Sequence, residues 1–599
     1  MVSIPAEWQI RGLSDTREVI NAVLPEDAPT TASLVAGPSL PDLLLANDKA
    51  TALLSSSKAR SICTLPAHEI VEAIRNKRLT SVEVTEAFLT SAAIAHQATG
   101  CLSDFFPDEA RRRAQELDAK QARGGTLGVL HGLPVSIKGH IFLTGHGNQN
   151  GFALDVLSQE AFDGLLSDQD SPLLRNLSPA HIALIKARGP RISTEDGLLA
   201  RILRDQGAVF YCKTTMPQSV MHLDTRSKPF GQTINPYNLA LSAGGSSGGE
   251  AALVSGGGSV LGVGTDIGGS VRQPCAVTGL WGLRPTCGRL PSTSSLAPTP
   301  GNSMVVSTIG PMCRSLKDVI LFMAAVLRGE PWKLDHNTYR LPWRGEVVRT
   351  PRKGRLRIGI LRHDGLVRPI TPIRRALSSV TSRLRDRKDG SAESVTDIEL
   401  VEVDAGDLHA RAWTLIRSLY YVDGGAFTRS VAALGGEPLL PLTEKILQDA
   451  KERTAHEIWE LTMKRESIKK EYLKWWNELR LDAMLCPASA TVAPRPGTIK
   501  YWGYTSAFNL FDLPSLVFPT GISVNAEADV AFEASEVSDA HSASKVKREN
   551  TGDWDRENEE EYVRHRDVYE GAPVGLQLVG SRFEEEELIQ VMQVIERAL

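Results

Sequence analysis

Apolar positions along the chain predict alternating strands and helices. Residues 135–137, 208–212, 356–361 and 398–403 are short apolar runs of the kind that form buried strands. The stretch between the last two runs, from about Ile370, predicts a helix, and a strand, helix, strand order is typical of α/β proteins. The first run follows Pro134, so Lys138 is predicted to lie at the end of a strand.

Several helices have a recognisable start. Residues 80–83 resemble a capping box and are followed by apolar positions on one helical face. The apolar run 319–327 follows a helix cap at Ser315 and is too short to span a membrane, so it predicts a core helix. Two amphipathic helices are outlined further on, one over residues 458–479 and one over residues 588–599.

Composition shifts divide the chain. Residues 1–63 are rich in Ser, Ala and Pro and predict a partly helical N-terminal extension before a main domain over 64–599. Residues 153–195 are polar and irregular, which predicts an insertion that either decorates the surface or caps a pocket, and we favour decoration. Residues 525–568 are dense in charge, which predicts a second insertion, solvated or disordered.

The overall composition narrows the class of protein. The chain has 599 residues, of which 42% are hydrophobic and 23% charged, as in globular proteins. A net charge of −4 and 6% aromatic residues give no sign of nucleic-acid binding. Seven scattered cysteines without a Cys-x-x-Cys pair, no signal peptide and no apolar run of membrane-spanning length predict a cytoplasmic protein without a transmembrane segment. No metal-binding motif is present among the 13 histidines.

The most unusual stretch is residues 244–274, with the sequence GGSSGGEAALVSGGGSVLGVGTDIGGSVRQP and eleven of the 50 glycines. It contains neither a G-x-G-x-x-G nor a G-x-x-x-x-G-K-[ST] pattern, which disfavours phosphate binding. Residues 244–248 formally match the G-x-S-x-G nucleophile elbow, although the preceding residues 238–243 form a weak strand. Later histidines could complete a triad, so composition does not exclude that reading.

The same stretch closely resembles the long signature of the amidase signature family. Further blocks that resemble the family occur in its order, at residues 131–138, 213–219, 230–236, 282–286, 486–488 and 573–580. The resemblance covers roughly residues 64–599 and is closest to the branch of acetamidases and fatty-acid amide hydrolases. It implies one α/β domain in which helices cover both faces of a mixed, twisted central sheet.

The resemblance also implies the reacting groups. Ser270 matches the nucleophile, Ser246 the bridging serine 24 residues earlier, and Lys138 the lysine. The backbone N–H groups of Ile267, Gly268, Gly269 and Ser270 match the oxyanion hole, and Ser246 also belongs to the implied substrate site. A cis peptide at Ser246 is implied, and Ser247 matches a position that supports the network by hydrogen bonding. Arg272 follows Ser270 by two residues and is a candidate for orienting the loop.

Elementary chemistry agrees with these residue types. A serine hydroxyl is a poor nucleophile near neutral pH and needs a base. Lysine is a base only when it is neutral, and burial in a low-dielectric site lowers the pKa of lysine. Ser246 can then accept a proton from Ser270 and pass one to Lys138. This scheme needs no metal and no organic cofactor.

The sequence departs from the family pattern beside Lys138. An acidic residue usually follows the lysine, but here Gly139 follows it, which puts the source of its pKa tuning in doubt. His140 is close enough in sequence to contact the site. Lys213 follows a strand outside the block of the implied lysine and is predicted to be structural or exposed. Residues 220, 221 and 223 (Val, Met and Leu) align with a pocket-lining stretch, although such residues are as often core.

The sequence therefore predicts an amidase that hydrolyses a carboxamide C–N bond of a small-molecule substrate with an uncharged acyl side. Two alternatives remain open at this stage. An acyltransferase would pass the same acyl group to an amine, and a catalytically silent homologue would act as a binding protein. The family resemblance also suggests a homodimer.

Overall fold

The computed structural model describes residues 19–20, 22–23, 56–167, 172–175, 177, 179–187, 192–292, 295–350, 352, 354–387, 395–540 and 553–599. Its strands are β1 (Leu102–Phe105), β2 (Pro134–Lys138), β3 (Val209–Thr214), β4 (Arg226–Ser227), β5 (Gly231–Gln232), β6 (Ile234–Asn235), β7 (Asn238–Ser242), β8 (Leu261–Asp266), β9 (Trp281–Arg284), β10 (Thr308–Cys313), β11 (Gly354–Ile360), β12 (Val395–Glu402), β13 (Ala483–Pro487), β14 (Ser515–Ser523) and β15 (Pro573–Val579).

The α-helices are α1 (Ser57–Thr64), α2 (Ala67–Arg75), α3 (Ser81–Thr99), α4 (Pro107–Ala122), α5 (Gln159–Ser167), α6 (Pro172–Arg175), α7 (Pro179–Ala187), α8 (Leu198–Asp205), α9 (Gly248–Ser255), α10 (Arg272–Val277), α11 (Leu316–Arg328), α12 (Gly345–Arg349), α13 (Thr371–Asp386), α14 (Gly406–Tyr420), α15 (Ala426–Leu434), α16 (Pro441–Ile446), α17 (Ala455–Leu479), α18 (Gly503–Phe511), α19 (Ala526–Ala540), α20 (Asp553–Arg564) and α21 (Glu585–Glu596). Short 3₁₀ helices cover Ala153–Val156, Gln218–Val220, Pro331–Lys333, Leu447–Asp449 and Arg566–Tyr569.

Eleven strands form one central sheet in the order β1-β3-β2-β8-β10-β9-β14-β15-β13-β11-β12. Strand β2 is parallel to both β3 and β8, and β11 is parallel to both β12 and β13. The other neighbouring pairs are antiparallel, so the sheet is mixed. Strands β4 with β5 and β6 with β7 form two further two-stranded sheets.

The central sheet separates two hydrophobic clusters. In β13, Ala483 and Leu485 belong to one cluster, whereas Met484 and Cys486 belong to the other. Successive side chains of a strand point to opposite faces of a sheet, so the two clusters lie on opposite faces. Helices α1, α2, α3 and α11 contribute to the first cluster, and α14, α17 and α18 contribute to the second. The predicted fold, a mixed sheet with helices on both faces, is therefore confirmed.

Local patterns predicted several elements correctly. The four predicted strands are β2, β3, β11 and β12, and Lys138 is the last residue of β2. At the start of α3, the Glu83 N–H donates to the Thr80 hydroxyl at 3.1 Å and the Thr80 N–H donates to the Glu83 carboxylate at 3.0 Å. The Ser315 hydroxyl accepts from Asp318 N–H at the start of α11. None of the described helices combines the length and the apolar character needed to cross a membrane.

The expectation that residues 153–195 are irregular is wrong for their described part. Helices α5 and α7 lie there, and Leu165 and Ile185 are buried in a small cluster with Phe427. Interleaved polar residues hid the apolar positions that share one face of each helix. Residues 168–170 and 188–190, part of the same prediction, lie outside the described residues. That the segment is an insertion stays a prediction.

The charge-dense segment 525–568 is also more ordered than its composition predicted. Its described parts form α19 and α20, while residues 541–552 lie outside the described residues. Asp529 is fully buried and accepts hydrogen bonds from Arg375 Nε at 2.6 Å and from the Tyr562 hydroxyl at 2.8 Å. Arginines of α13 thus neutralise acidic side chains of α19, which a count of charges along the sequence does not show.

The predicted N-terminal boundary at residue 63 falls inside a helix. Helix α1 runs past it, and Cys63 is fully buried in the first hydrophobic cluster. Residues 1–18 and 24–55 lie outside the described residues, so the extension itself stays a prediction.

Candidate active site

The predicted reacting groups meet at one edge of the central sheet. Strands β2 and β8 are parallel neighbours, so their carboxyl ends lie at the same edge. Lys138 ends β2, and Thr265 and Asp266 end β8. Every residue of both strands is buried, as expected for parallel strands covered on two faces. The lysine is therefore anchored by the sheet and lies beside the loop that follows β8.

The Lys138 ammonium is fully buried and has two hydroxyl partners. Its Nζ lies 2.8 Å from Ser246 Oγ and 3.1 Å from Thr265 Oγ1. Burial disfavours the charged form and lowers the pKa of Lys138 to about 7, against the opposing charges of Asp266 and Glu250. A substantial neutral fraction at neutral pH makes this lysine a competent base toward Ser246.

Glu250, on α9, places a second carboxyl group near Lys138. It accepts hydrogen bonds from Ser136 Oγ at 2.6 Å and from Thr214 Oγ1 at 2.9 Å. Burial raises the pKa of Glu250 to about 8, and the hydrogen bonds and Lys138 oppose that rise. With this pKa Glu250 is mostly protonated at neutral pH, so Asp266, whose pKa is lowered, supplies the negative charge that the sequence pattern expected from the residue after the lysine.

Gly139 has no room for a side chain. A Cβ at this position would lie 2.7 Å from Met216 Cε, 2.8 Å from the Thr214 carbonyl oxygen and 3.0 Å from Gln149 Nε2. The missing acidic residue thus follows from close packing at the end of β2. Because other carboxyl groups act on Lys138, its absence does not deprive the lysine of pKa tuning.

Ser246 lies in the turn between β7 and α9, and Ser270 lies in the turn between β8 and α10. The Gly245–Ser246 peptide is cis, as the resemblance implied. The two turns are joined because the Ser247 N–H donates to the Ser270 carbonyl oxygen at 3.1 Å. Ser246 and Ser270 line the same cavity.

Asp266 organises the loop that carries Ser270. Its carboxylate accepts from the backbone N–H groups of Gly269 at 2.8 Å and Val271 at 3.2 Å. It also pairs with the buried Arg272 at 2.9 Å and accepts from Asn509 Nδ2 at 2.9 Å. The Arg272 guanidinium holds the pKa of Asp266 well below its usual range, although burial opposes it. Arg272 thus contacts the residue that holds this loop, in keeping with its position two residues after Ser270.

The peptide groups of this loop are held in fixed orientations. The Tyr420 hydroxyl donates to the Ile267 carbonyl at 3.2 Å, and the Thr505 hydroxyl donates to the Gly268 carbonyl at 2.6 Å. The N–H of a trans peptide points opposite to its C=O, so these bonds also set the directions of the following N–H groups. The Gly269 N–H is engaged by Asp266, which leaves the N–H groups of Ile267, Gly268 and Ser270 as candidate oxyanion donors.

The cavity beside Ser270 has a volume of about 650 Å³. Of the three apolar residues aligned with a pocket-lining stretch, Val220 and Met221 line it, whereas Leu223 is buried and is not among its lining residues. His140 lines the cavity, and its Nε2 lies 3.0 Å from Thr265 Oγ1. His140 therefore contacts the site, as its sequence position allowed.

Lys213 is structural, and the alternative that it is exposed is wrong. It is fully buried and donates to the Gly147 carbonyl at 2.6 Å and to Asn148 Oδ1 at 3.1 Å. Burial lowers the pKa of Lys213 to about 7, but it does not line the cavity. Within the described part of the chain, no three His, Cys, Asp or Glu side chains are grouped so that they could hold a metal ion.

Sequence reasoning missed several residues around the reacting groups. Thr265 and Asp266 stand in the signature stretch, but the sequence analysis assigned no role to either of them. Glu250 follows the GGSSGG run, but nothing in the sequence indicates that it contacts Ser136 of strand β2. Asn509 comes 239 residues after Ser270, and no local signal connects it to the site.

Comparisons with known proteins agree on the family. The family model described as Amidase matches residues 83–167 and 184–589. The chain is 34% identical to an amidase of Gibberella zeae, over 90% of each chain. It is 32% identical to an acetamidase of Aspergillus oryzae, over 100% of this chain and 96% of that protein. The solved structure of a fatty acid amide hydrolase superposes with a TM-score of 0.79 at 30% identity, over 99% of this chain and 95% of that one.

Proposed function

Since the chain belongs to the amidase signature family and is a hydrolase that acts on amides, we propose that it cleaves the C–N bond through an acyl-enzyme on Ser270, with Ser246 and Lys138 as the proton relay. The observation that carries this proposal is the 2.8 Å contact between the buried Lys138 Nζ and Ser246 Oγ. A lysine with its pKa lowered to about 7 is neutral often enough to act as a base at neutral pH.

The first half of the reaction forms the acyl-enzyme. Ser270 Oγ attacks the amide carbonyl carbon, and its proton passes to Ser246 Oγ as the proton of Ser246 passes to Lys138 Nζ. The carbonyl oxygen becomes an oxyanion that backbone N–H groups of the loop stabilise. The C–N bond then breaks, and the amine leaves with a proton that returns from Lys138 through Ser246.

The second half releases the acid. Water takes the place of the amine, and its proton passes through Ser246 to Lys138 as its oxygen bonds to the acyl carbon. The bond to Ser270 Oγ then breaks, and Ser270 recovers its proton by the same route. The relay ends in the state in which it began.

Backbone N–H groups of Ile267, Gly268 and Ser270 are the proposed oxyanion donors. The loop is supported by Asp266 and by the hydroxyls of Tyr420 and Thr505, so these donors keep their positions during the reaction. Donors that are already oriented stabilise a developing charge without reorganisation, and loss of one typically lowers the rate by about 10²–10³.

The substrate is proposed to carry an apolar, uncharged acyl group. Val220, Met221, Ile267, Met304 and Leu510 all line the cavity that holds Ser270. Such side chains favour apolar parts of a ligand, because burial removes apolar surface from water. The names of two similar proteins, acetamidase and fatty acid amide hydrolase, refer to acyl groups of very different length. Rates measured on a series of amides with increasing acyl length would show which length this chain prefers.

The proposal is tested by labelling with a fluorophosphonate probe, followed by intact-mass measurement and peptide mapping. We expect one adduct on Ser270, absent in Ser270→Ala and formed more slowly in Lys138→Ala. Product analysis of an amide library with and without added amines then separates hydrolysis from acyl transfer. An adduct on another residue, or none on a folded protein that also leaves every amide intact, would contradict the proposal.

A further inference from the structure

We infer that His140 is a positioning residue: by accepting a hydrogen bond from Thr265, it directs the lone pair of Lys138 toward Ser246. The inference rests on the proposed function, because it requires Lys138 to act as the base. It concerns a residue for which the sequence indicated no more than proximity to the site.

The contacts form an unbranched chain. Ser246 Oγ lies 2.8 Å from Lys138 Nζ, which lies 3.1 Å from Thr265 Oγ1, which lies 3.0 Å from His140 Nε2. Thr265 and His140 are only 5% and 4% exposed, and Lys138 is fully buried. Water therefore competes little for these groups, and each hydrogen bond restricts the direction of the next.

Counting protons shows why the direction matters. A neutral lysine amine has two protons and one lone pair, and a base must present the lone pair to Ser246. Thr265 has one proton. If that proton is donated to His140, the Thr265 oxygen can accept from Lys138 and the lone pair stays with Ser246.

The opposite arrangement weakens the base. If His140 Nε2 carried a proton, it would donate to the Thr265 oxygen. The Thr265 proton would then turn toward Lys138 Nζ and compete with Ser246 for the lone pair. Through Thr265, His140 thus sets whether the lone pair of Lys138 is available to Ser246.

The surroundings of His140 favour the neutral ring that this role needs. Burial, and then the charges of Lys138 and Lys213, hold the pKa of His140 well below its ordinary value. A neutral imidazole has one acceptor nitrogen and one donor nitrogen. The inference assigns the acceptor to Nε2, the nitrogen that faces Thr265.

Close packing at Gly139 leaves His140 as the next residue whose side chain can reach the site. Gly139 lies where a Cβ would meet Met216 and the Thr214 carbonyl, so the residue after the lysine cannot carry a polar group there. The next residue, His140, is the one whose ring reaches the hydroxyl shared with Lys138. In this chain the hydrogen-bond acceptor that supports Lys138 is thus the neutral ring of His140, two residues after the lysine.

The test compares His140→Phe, which keeps a ring and removes the acceptor, with His140→Gln, whose amide oxygen can still accept from Thr265. We expect His140→Phe to lower kcat about tenfold or more with KM within about twofold, and His140→Gln to stay within about threefold of the wild type. Fluorophosphonate labelling of Ser270 should slow in parallel with kcat. If His140→Phe does not fold, His140→Leu takes its place, with folding checked by thermal denaturation.

A double-mutant cycle with Thr265→Val decides whether His140 acts through Thr265. Valine has no proton to turn toward Lys138, so adding His140→Phe to Thr265→Val should change kcat by less than about twofold. An equal loss in both backgrounds would overturn the inference, as would wild-type activity of His140→Phe or a His140→Gln variant as slow as His140→Phe.

Lys138→Ala, measured in the same assay, separates the two proposals. If Lys138→Ala keeps the wild-type rate, the proposed relay fails and the inference fails with it. If Lys138→Ala is inactive while His140→Phe is unaffected, the relay stands and only the role of His140 is refuted.

Discussion

Replacing Lys138 should remove the acid limb from the pH profile of kcat/KM. The wild-type profile should rise with pH through a midpoint near 7, because the proposed base must lose its proton before it can accept one from Ser246. The buried amine owes this pKa mainly to desolvation, since Asp266 and Glu250 act in the opposite direction. Lys138→Ala should show a much lower rate without that midpoint.

The magnitude follows from the pKa. Lowering it from the ordinary 10.5 to about 7 raises the neutral fraction of Lys138 at pH 7 from roughly 0.03% to about half, a gain of about a thousandfold. Loss of a general base typically lowers a rate by roughly 10²–10⁴. The thousandfold gain lies within this range, so Lys138→Ala should lose about 10³ in kcat/KM at pH 7 and less at pH 5, where wild-type Lys138 is itself protonated.

The assay is release of the amine from one amide substrate, measured between pH 5 and pH 10. Lys213→Met is the matched control, because Lys213 is equally buried and its pKa is also lowered to about 7, but it does not line the cavity. That variant should keep the midpoint near 7. A midpoint that survives in Lys138→Ala, or that disappears in Lys213→Met, would refute the assignment of Lys138 as the base.

The same pKa predicts an effect on stability. The pKa of Lys138 is lower in the folded chain than in the unfolded chain, so between about pH 7 and 10.5 the unfolded chain binds more protons. The cost of burying Lys138 is therefore complete below pH 7 and fades as the pH rises, with an upper limit of about 5 kcal/mol. Urea unfolding should show Lys138→Met more stable than the wild type at pH 6, with a smaller advantage at pH 9. A less stable variant at pH 6 would show that the hydroxyl contacts outweigh desolvation.

Three further substitutions test the packing around the site. Gly269→Ala should reduce turnover below about 1% of the wild type, because φ is +131° and a Cβ would lie 2.2 Å from Thr505 Oγ1; kcat above a tenth of the wild type would contradict the loop geometry. Asp266→Asn should lower the free energy of unfolding by about 3–5 kcal/mol, because it leaves the buried Arg272 charge unpaired; a loss below 1 kcal/mol in urea would argue against this pairing. Gly139→Asp should lower the free energy of unfolding by about 1–3 kcal/mol without raising kcat. A variant that is as stable as the wild type in thermal denaturation and has a higher kcat would contradict the close packing at that position.

The local part of the structure could be predicted from the sequence. The capping box before α3 and the apolar run that ends at Lys138 depend on neighbouring residues, so periodicity and cap chemistry predicted them. For the charge-dense segment 525–568, the disordered alternative is wrong for the described parts, because acidic side chains there pair with arginines of α13, which lie more than 150 residues earlier in the chain.

The sequence alone determined which groups are present: two serines and a lysine in a glycine-rich signature, with no acidic residue after the lysine. Only the tertiary structure decided what surrounds them. Asp266 acts on Lys138 because the parallel strands β2 and β8 bring their ends to one edge of the sheet, and Glu250 contacts β2 from helix α9. His140 follows Lys138 by two residues, but its contact with Thr265 depends on the same pairing of strands. A lysine pKa depends on burial and on charges within a few ångströms, and those distances exist only once the chain has folded.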